Sequence, residues 1–209
     1  MRVLVLCECS GRVKSAFRDR GHEAYSCDLE PSEIEGDKYH IQDDANKYLT
    51  NEWDLIIAHP PCTYLTNAGL HYLKSRPERR KQLEEGFIFV KSIWNAPVDK
   101  ICIENPVGWL STHWQKPTQI IQPYFFGEPE IKTTCLWLKG LPRLMYVLKD
   151  DMFYKSTATP YPKPHKEYIR KTGRDAGKIY RDYWHSVGNA KDRSRTFMCI
   201  AQAMATQWG

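Results

Sequence analysis

RVLVLCECSGRVKSAFRDRGHEAYSCDLEP, residues 2–31, decides the fold class. Val3 to Leu6 is an unbroken apolar run that reads as a buried strand and enters a turn at Cys7 to Gly11. RVKSAFRDRG predicts a short helix stopped by Gly21, whose missing Cβ lets the chain leave the last turn. HEAYSCDLEP then predicts a second strand ending at Asp28. Strand, helix and strand in succession imply a parallel pair joined by a crossover helix.

The same alternation continues outward. WDLIIAHPP (53–61) is a strand stopped by two prolines, which fix φ and remove two backbone donors. RPERRKQLEEGFIFVKSIWNA (76–96) is a long helix with Pro77 near its first turn. KICIENP (100–106) and TTCLWLKG (133–140) are further strands, and RTFMCIAQAMATQW (195–208) is a closing amphipathic helix. The expected fold is therefore α/β, a mainly parallel doubly wound sheet. Between Leu141 and Lys178 the pattern breaks at Pro142, Pro160, Pro162 and Pro164. Three segments are expected: a core over 1–139, an insertion over 140–185, and a return to the core over 186–209.

Charge is concentrated in the insertion. Gly140 to His185 holds ten Lys/Arg against five Asp/Glu, which accounts for the whole net charge of +5. Eight aromatics interleave with those cations, a pattern that suits phosphates and unstacked bases or, alternatively, a solvated irregular surface. The seven cysteines show no framework spacing, which points to a reducing cytoplasm. Cys7 and Cys9 are too close for a zinc knuckle, so no metal is expected. No apolar run is long enough for a membrane span, and the first residues read as a strand, not as a secretory signal.

Three strand ends carry chemistry: Asp28, Cys62 and Glu104. In a parallel sheet they share the carboxyl edge, where open α/β sheets bind ligands. Asp28 is either a turn former or an acceptor for ribose hydroxyls. Asp43 and Asp44 either cap a helix or contact a cofactor's base. Glu104 leaves an apolar strand for a polar turn, where a carboxyl either pairs with a nearby arginine or, raised by burial, delivers a proton. With the thiol of Cys62, it suits one reaction: the sulfur adds to C6 of a pyrimidine while the acid binds N3, making C5 nucleophilic.

In these features the chain resembles the C5-cytosine DNA methyltransferases. DLIIAHPPCTYLTNAG (54–69) is similar to their Pro-Cys loop, and ICIENPVGWL (101–110) to their Glu-Asn-Val strand. The opening stretch resembles their first S-adenosylmethionine segment. YFFGEPEIKTTCLWLKG (124–140) resembles the segment ending in a strand beside the base, and SVGNAKDRSRTFMCIAQAMATQW (186–208) their final Gly-Asn motif and helix. The resemblance implies a Rossmann-like class I S-adenosylmethionine-dependent methyltransferase fold. It implies Cys62 as nucleophile, Glu104 as acid, Asn105 as its orienter and Lys132 beside the base. S-adenosylmethionine would meet Cys7, Glu8, Ser10, Gly11, Asp28, Leu29, Asp43, Asp44, Pro60 and Asn189. Arg76, Arg79, Arg80, Lys163, Lys166, Arg170 and Lys171 would meet DNA, unless the three arginines are simply a solvated helix start.

The chain departs from the family in several places. Its first loop keeps only Gly11, Pro106 stands for the usual valine, and Lys132 and Thr134 stand where arginines are expected. Most of the target-recognition domain is missing, which implies a compact, phage-like form acting in a bacterial cytoplasm with little sequence specificity. Two other readings follow from the same departures: the same chemistry on a free pyrimidine nucleotide or RNA, or an inactive fold that binds nucleic acid.

Overall fold

A computed structural model of the protein describes residues 1–66, 78–150, 152–164, 166–169, 171–172, 177–182 and 194–209. β1 (Arg2–Leu6), α1 (Arg12–Arg18) and β2 (Glu23–Asp28) follow the order expected of the opening stretch. Next come β3 (His40–Gln42), a 3-10 turn at Ala45–Tyr48, β4 (Leu55–Ala58) and α2 (Arg79–Trp94). β5 (Ile101–Pro106), α3 (Trp109–His113), β6 (Gln119–Ile121), a 3-10 turn at Pro123–Phe126 and β7 (Thr134–Lys139) continue the chain. β8 (Lys166–Ile169), β9 (Ile179–Asp182) and α4 (Met198–Trp208) complete the described elements.

The sheet runs β3-β2-β1-β4-β5-β7-β6. Its first five strands are parallel, whereas β7 lies antiparallel to both neighbours. This α/β architecture, a mostly parallel sheet flanked by helices, is compatible with a Rossmann-like fold. Every residue of β4 is buried, as are Val3 to Leu6 of β1, which is why these strands are apolar on both faces. Leu83, Val90 and Ile93 of α2 pack with Leu4, Ile56, Ile103 and Trp137 in one core cluster. Fully burying one such side chain contributes about 1.5–3 kcal/mol. Trp137 also satisfies its polar edge, its indole N–H donating to the Gln115 carbonyl at 2.9 Å.

The chain forms two compact units, and their limits differ from those expected. One comprises Met1–Ile121, Thr133–Met145 and Ala201–Gly209; the other comprises Gln122–Lys132 and Tyr146–Ile200. The first unit keeps Leu144 and Met145, because their amides donate to the side chains of Gln119 (2.8 Å) and Gln207 (2.7 Å). The second takes in the 3-10 turn after β6: Phe125 stacks on Tyr146 with ring centroids 4.5 Å apart, and Thr159 N donates to the Tyr124 carbonyl at 3.0 Å.

From β1 the sheet order proceeds to β2 on one side and to β4 on the other. That is the switch point at which a crevice opens outside the carboxyl ends.

Candidate active site

The pairing of β4 with β5 sets Ala58 opposite Ile103, so the residues just beyond, His59 and Glu104, emerge side by side. His59 Nδ1 lies 3.2 Å from Glu104 Oε2, with the two side chains only 10% and 12% exposed. One residue further, Asn105 is buried and its Nδ2 donates to the Pro60 carbonyl at 2.8 Å. The expected orienter of the acid thus grips the backbone of the loop that carries the thiol.

That loop turns at once. The amides of Leu65 and Thr66 both donate to the Cys62 carbonyl, at 2.9 and 3.0 Å, and Cys62 is half-buried. It is tied a second time to the strand of the acid: Trp109 N donates to the Leu65 carbonyl at 2.7 Å, and Thr66 bridges to Gly108. Only glycine fits at 108, since a Cβ there would lie 2.2 Å from the Leu65 oxygen. Arg79 braces the loop from α2, donating to the Thr63 carbonyl at 3.3 Å with its guanidinium over the Tyr64 ring. Sulfur and acid therefore stand on backbones joined at two points, the Asn105–Pro60 bond and the Thr66–Gly108 bridge.

The neighbouring thiols are poor nucleophiles. Burial, with the Glu104 carboxylate nearby, pushes Cys102 well up and Cys135 up to about 11. Burial likewise pushes Cys199 up to about 12, with Glu128 adding to it.

At the end of β1, Cys7 takes a left-handed backbone with φ 58, a conformation costing roughly 1–3 kcal/mol in a non-glycine residue. Its thiol is pushed far up, first by burial and then by Asp28. Glu8 is buried, and its carboxylate accepts from the amides of Val13 (2.7 Å) and Lys14 (3.1 Å), closing the start of α1. Ser10 Oγ accepts from Arg12 N at 3.5 Å. Gly11 has φ 67, and a Cβ on it would meet Ile34 Cδ1 at 2.7 Å and the Lys14 side chain at 3.3 Å. The buried Lys14 ammonium pairs with Asp37. Burial alone would raise the Asp37 carboxyl, but hydrogen bonds from Lys14, Ser32 and the Tyr39 amide bring it below its ordinary value. Ile34 and the Lys14 side chain thus occupy the space beside Gly11.

The next edge is different. Asp28 Oδ1 accepts from Glu30 N at 3.0 Å, and Leu29 beside it is 73% exposed. Asp43 lies past β3, with its amide donating to the Asp28 carbonyl at 3.1 Å. Its carboxyl sits below the usual range because Lys47 donates to it, supported by the Asp44 amide. Asp44 caps the 3-10 turn, accepting from Asn46 N at 2.9 Å, so the capping alternative describes it. Carboxylates that accept hydrogen bonds and an exposed apolar side chain on one edge are groups that could hold ribose hydroxyls and a purine ring.

Lys132 belongs to the second unit, where its ammonium meets the carbonyls of Arg195 (3.0 Å) and Ser194 (3.5 Å). Arg80, Lys163, Lys166 and Lys171 are exposed, with the Lys166 ammonium over the Tyr168 ring. Arg76, Arg170 and Asn189 lie outside the described residues. Two residues were not anticipated, His59 and Gly108. The first stands in the AHPPC stretch itself, and its role appears only once β4 and β5 are in register.

Among the described residues no group of three or more His, Cys, Asp or Glu is placed to hold a metal ion, and no helix is long and apolar enough to cross a membrane. No family model matches the chain. No curated protein matches it either.

Proposed function

We propose that the protein is an S-adenosylmethionine-dependent methyltransferase acting at C5 of cytosine in DNA, with little sequence specificity. The observation that carries this reading is the joining of the Cys62 loop to the Glu104 strand at the carboxyl edge of the sheet. A thiolate and an acid held on one rigid frame suit attack on a flat ring from its face while its edge is gripped. Asp28, Leu29 and Asp43 would hold the adenosine part of S-adenosylmethionine, which when bound supplies an electrophilic methyl group. Cys62 adds to C6 of the base. With C5 methylated, a solvent base takes the C5 proton, that C–H pair re-forms C5=C6 and the S–C6 bond breaks to release the thiolate, while the N3 proton returns to Glu104. Glu104 donates its proton at N3 during the addition, and Asn105 keeps the loop and the strand in step. The class I methyltransferase fold belongs to this same reading and is supported by the parallel order around β1 and β4.

The cations and aromatics of the second unit favour a nucleic acid as substrate. Phe153 and Tyr154 are 82% and 65% exposed, and stacking on such rings accepts any base. The brevity of this region also favours a second reading, the same chemistry on a free pyrimidine nucleotide or RNA. Radiolabelled methyl transfer to duplex DNA, single strands, tRNA and dCMP separates the two. The account expects label in 5-methylcytosine of DNA; label in dCMP alone ends the DNA reading. Calorimetry with the cofactor tests for an inactive fold, which would show no binding at millimolar concentration.

A further inference from the structure

We propose that His59 is the positioning residue of the acid: Nδ1–H donates to Oε2 of Glu104 and leaves Oε1 to carry and deliver the proton. This rests on the cytosine reading above. Nδ1 and Oε2 are 3.2 Å apart, a contact that needs a hydrogen between them. The other ring nitrogen, Nε2, is buried and has no hydrogen-bond partner among the described residues. A buried donor is seldom left alone, whereas an acceptor is tolerated more often, so the hydrogen belongs on Nδ1. An apolar side chain would fill this corner without an orphaned nitrogen, so what justifies an imidazole is the bond it makes to Glu104.

The position follows from the sheet. β4 and β5 are in register through Ala58 and Ile103, so the next residue of each strand meets the other. Pro60 and Pro61 stop the chain directly after His59, and Asn105 fixes Pro60, which leaves the ring little freedom. The thiols of Cys102 and Cys135 are both pushed up, chiefly by burial and then by Glu104. They stay protonated at neutral pH and do not compete for its proton.

As the Cys62 thiolate adds to cytosine, the S–C6 bond forms and the C5=C6 pair shifts to C4–C5. The C4=N3 pair moves onto N3, which takes the proton from Oε1. Glu104 is left as a carboxylate, and the bond from Nδ1–H becomes charge-assisted at that moment. The bond therefore strengthens during the step, which places its effect on the rate and not on binding.

The test compares His59→Asn, which keeps a donor near the position of Nδ1, with His59→Leu, which fills the space without one. The readout is the rate of covalent adduct formation on 5-fluorocytosine DNA, with cofactor affinity measured alongside. The proposal expects His59→Leu to slow the adduct by about 10- to 100-fold with affinity unchanged, and His59→Asn to recover most of the rate. Equal rates for the two variants, or a faster His59→Leu, overturn it while the cytosine reading stands. A wild-type protein that forms no adduct removes both. Histidine-15N spectra give a check independent of turnover: His59 should be protonated at Nδ1, with a signal that moves in Glu104→Gln. A neutral ring protonated at Nε2 overturns the assignment.

Discussion

The cysteines differ in how far burial withholds them from reaction. Burial raises the thiols of Cys7, Cys27, Cys102, Cys135 and Cys199, with Cys27 reaching about 11, so each holds its proton at neutral pH. Because the thiolate is the reactive form, these five are withheld from alkylation. Brief treatment with iodoacetamide at about pH 7.5, followed by peptide mass mapping, should label Cys62 and leave those five unmodified. Label on Cys102 or Cys135 in the folded protein would contradict this. The acid is equally tied to its place, since Glu104 lies against His59 and next to a buried asparagine. Cys62 and Glu104 stand out in the sequence because prolines mark where their strands must end, whereas Asn105 stands out only through the family resemblance. His59 is not, because its partner is 45 residues away and only the register of two strands brings them together.

At the scale of elements, the two strand ends are held by a latch. Trp109 N on the Leu65 carbonyl and the Thr66–Gly108 bridge leave no room for a side chain at 108. Gly108→Ala forces the loop away from the strand, at a cost of about 1–3 kcal/mol. Displacing the sulfur by even about 1 Å should slow adduct formation roughly 100-fold. Thermal unfolding and adduct kinetics measured on the same sample check this; a variant with normal rate would show that the latch does not position Cys62. Local periodicity is enough to reveal β1, α1, β2, β4 and β5, and the apolar runs of β1 and β4 record burial on both faces. It does not reveal β3 and β6, three residues each, which exist because a neighbouring strand offers them a hydrogen-bonding edge. Nor does TTCLWLKG announce its direction; β7 is antiparallel because it enters the sheet between β5 and β6.

At the scale of the molecule, a balanced α/β unit is accompanied by a second unit rich in cations and exposed aromatics. Lys163, Lys166 and Lys171 are exposed in the second unit. If each neutralises one phosphate, replacing all three with alanine lowers the slope of log affinity against log salt for duplex DNA by about 2 to 3. An unchanged slope in fluorescence-anisotropy titrations would place the nucleic acid elsewhere. The sequence anticipates this concentration of charge but not where the units divide, because Gln122–Lys132 joins the second unit through long-range contacts such as Phe125 on Tyr146. The central claim is that Cys62 and Glu104 act together on one pyrimidine. Denaturing mass spectrometry after incubation with S-adenosylmethionine and 5-fluorocytosine DNA tests it most directly. The account predicts a covalent protein–DNA species mapping to Cys62, absent in Cys62→Ser and formed slowly in Glu104→Gln. An adduct that survives Cys62→Ser, or none with the wild-type protein, would contradict it.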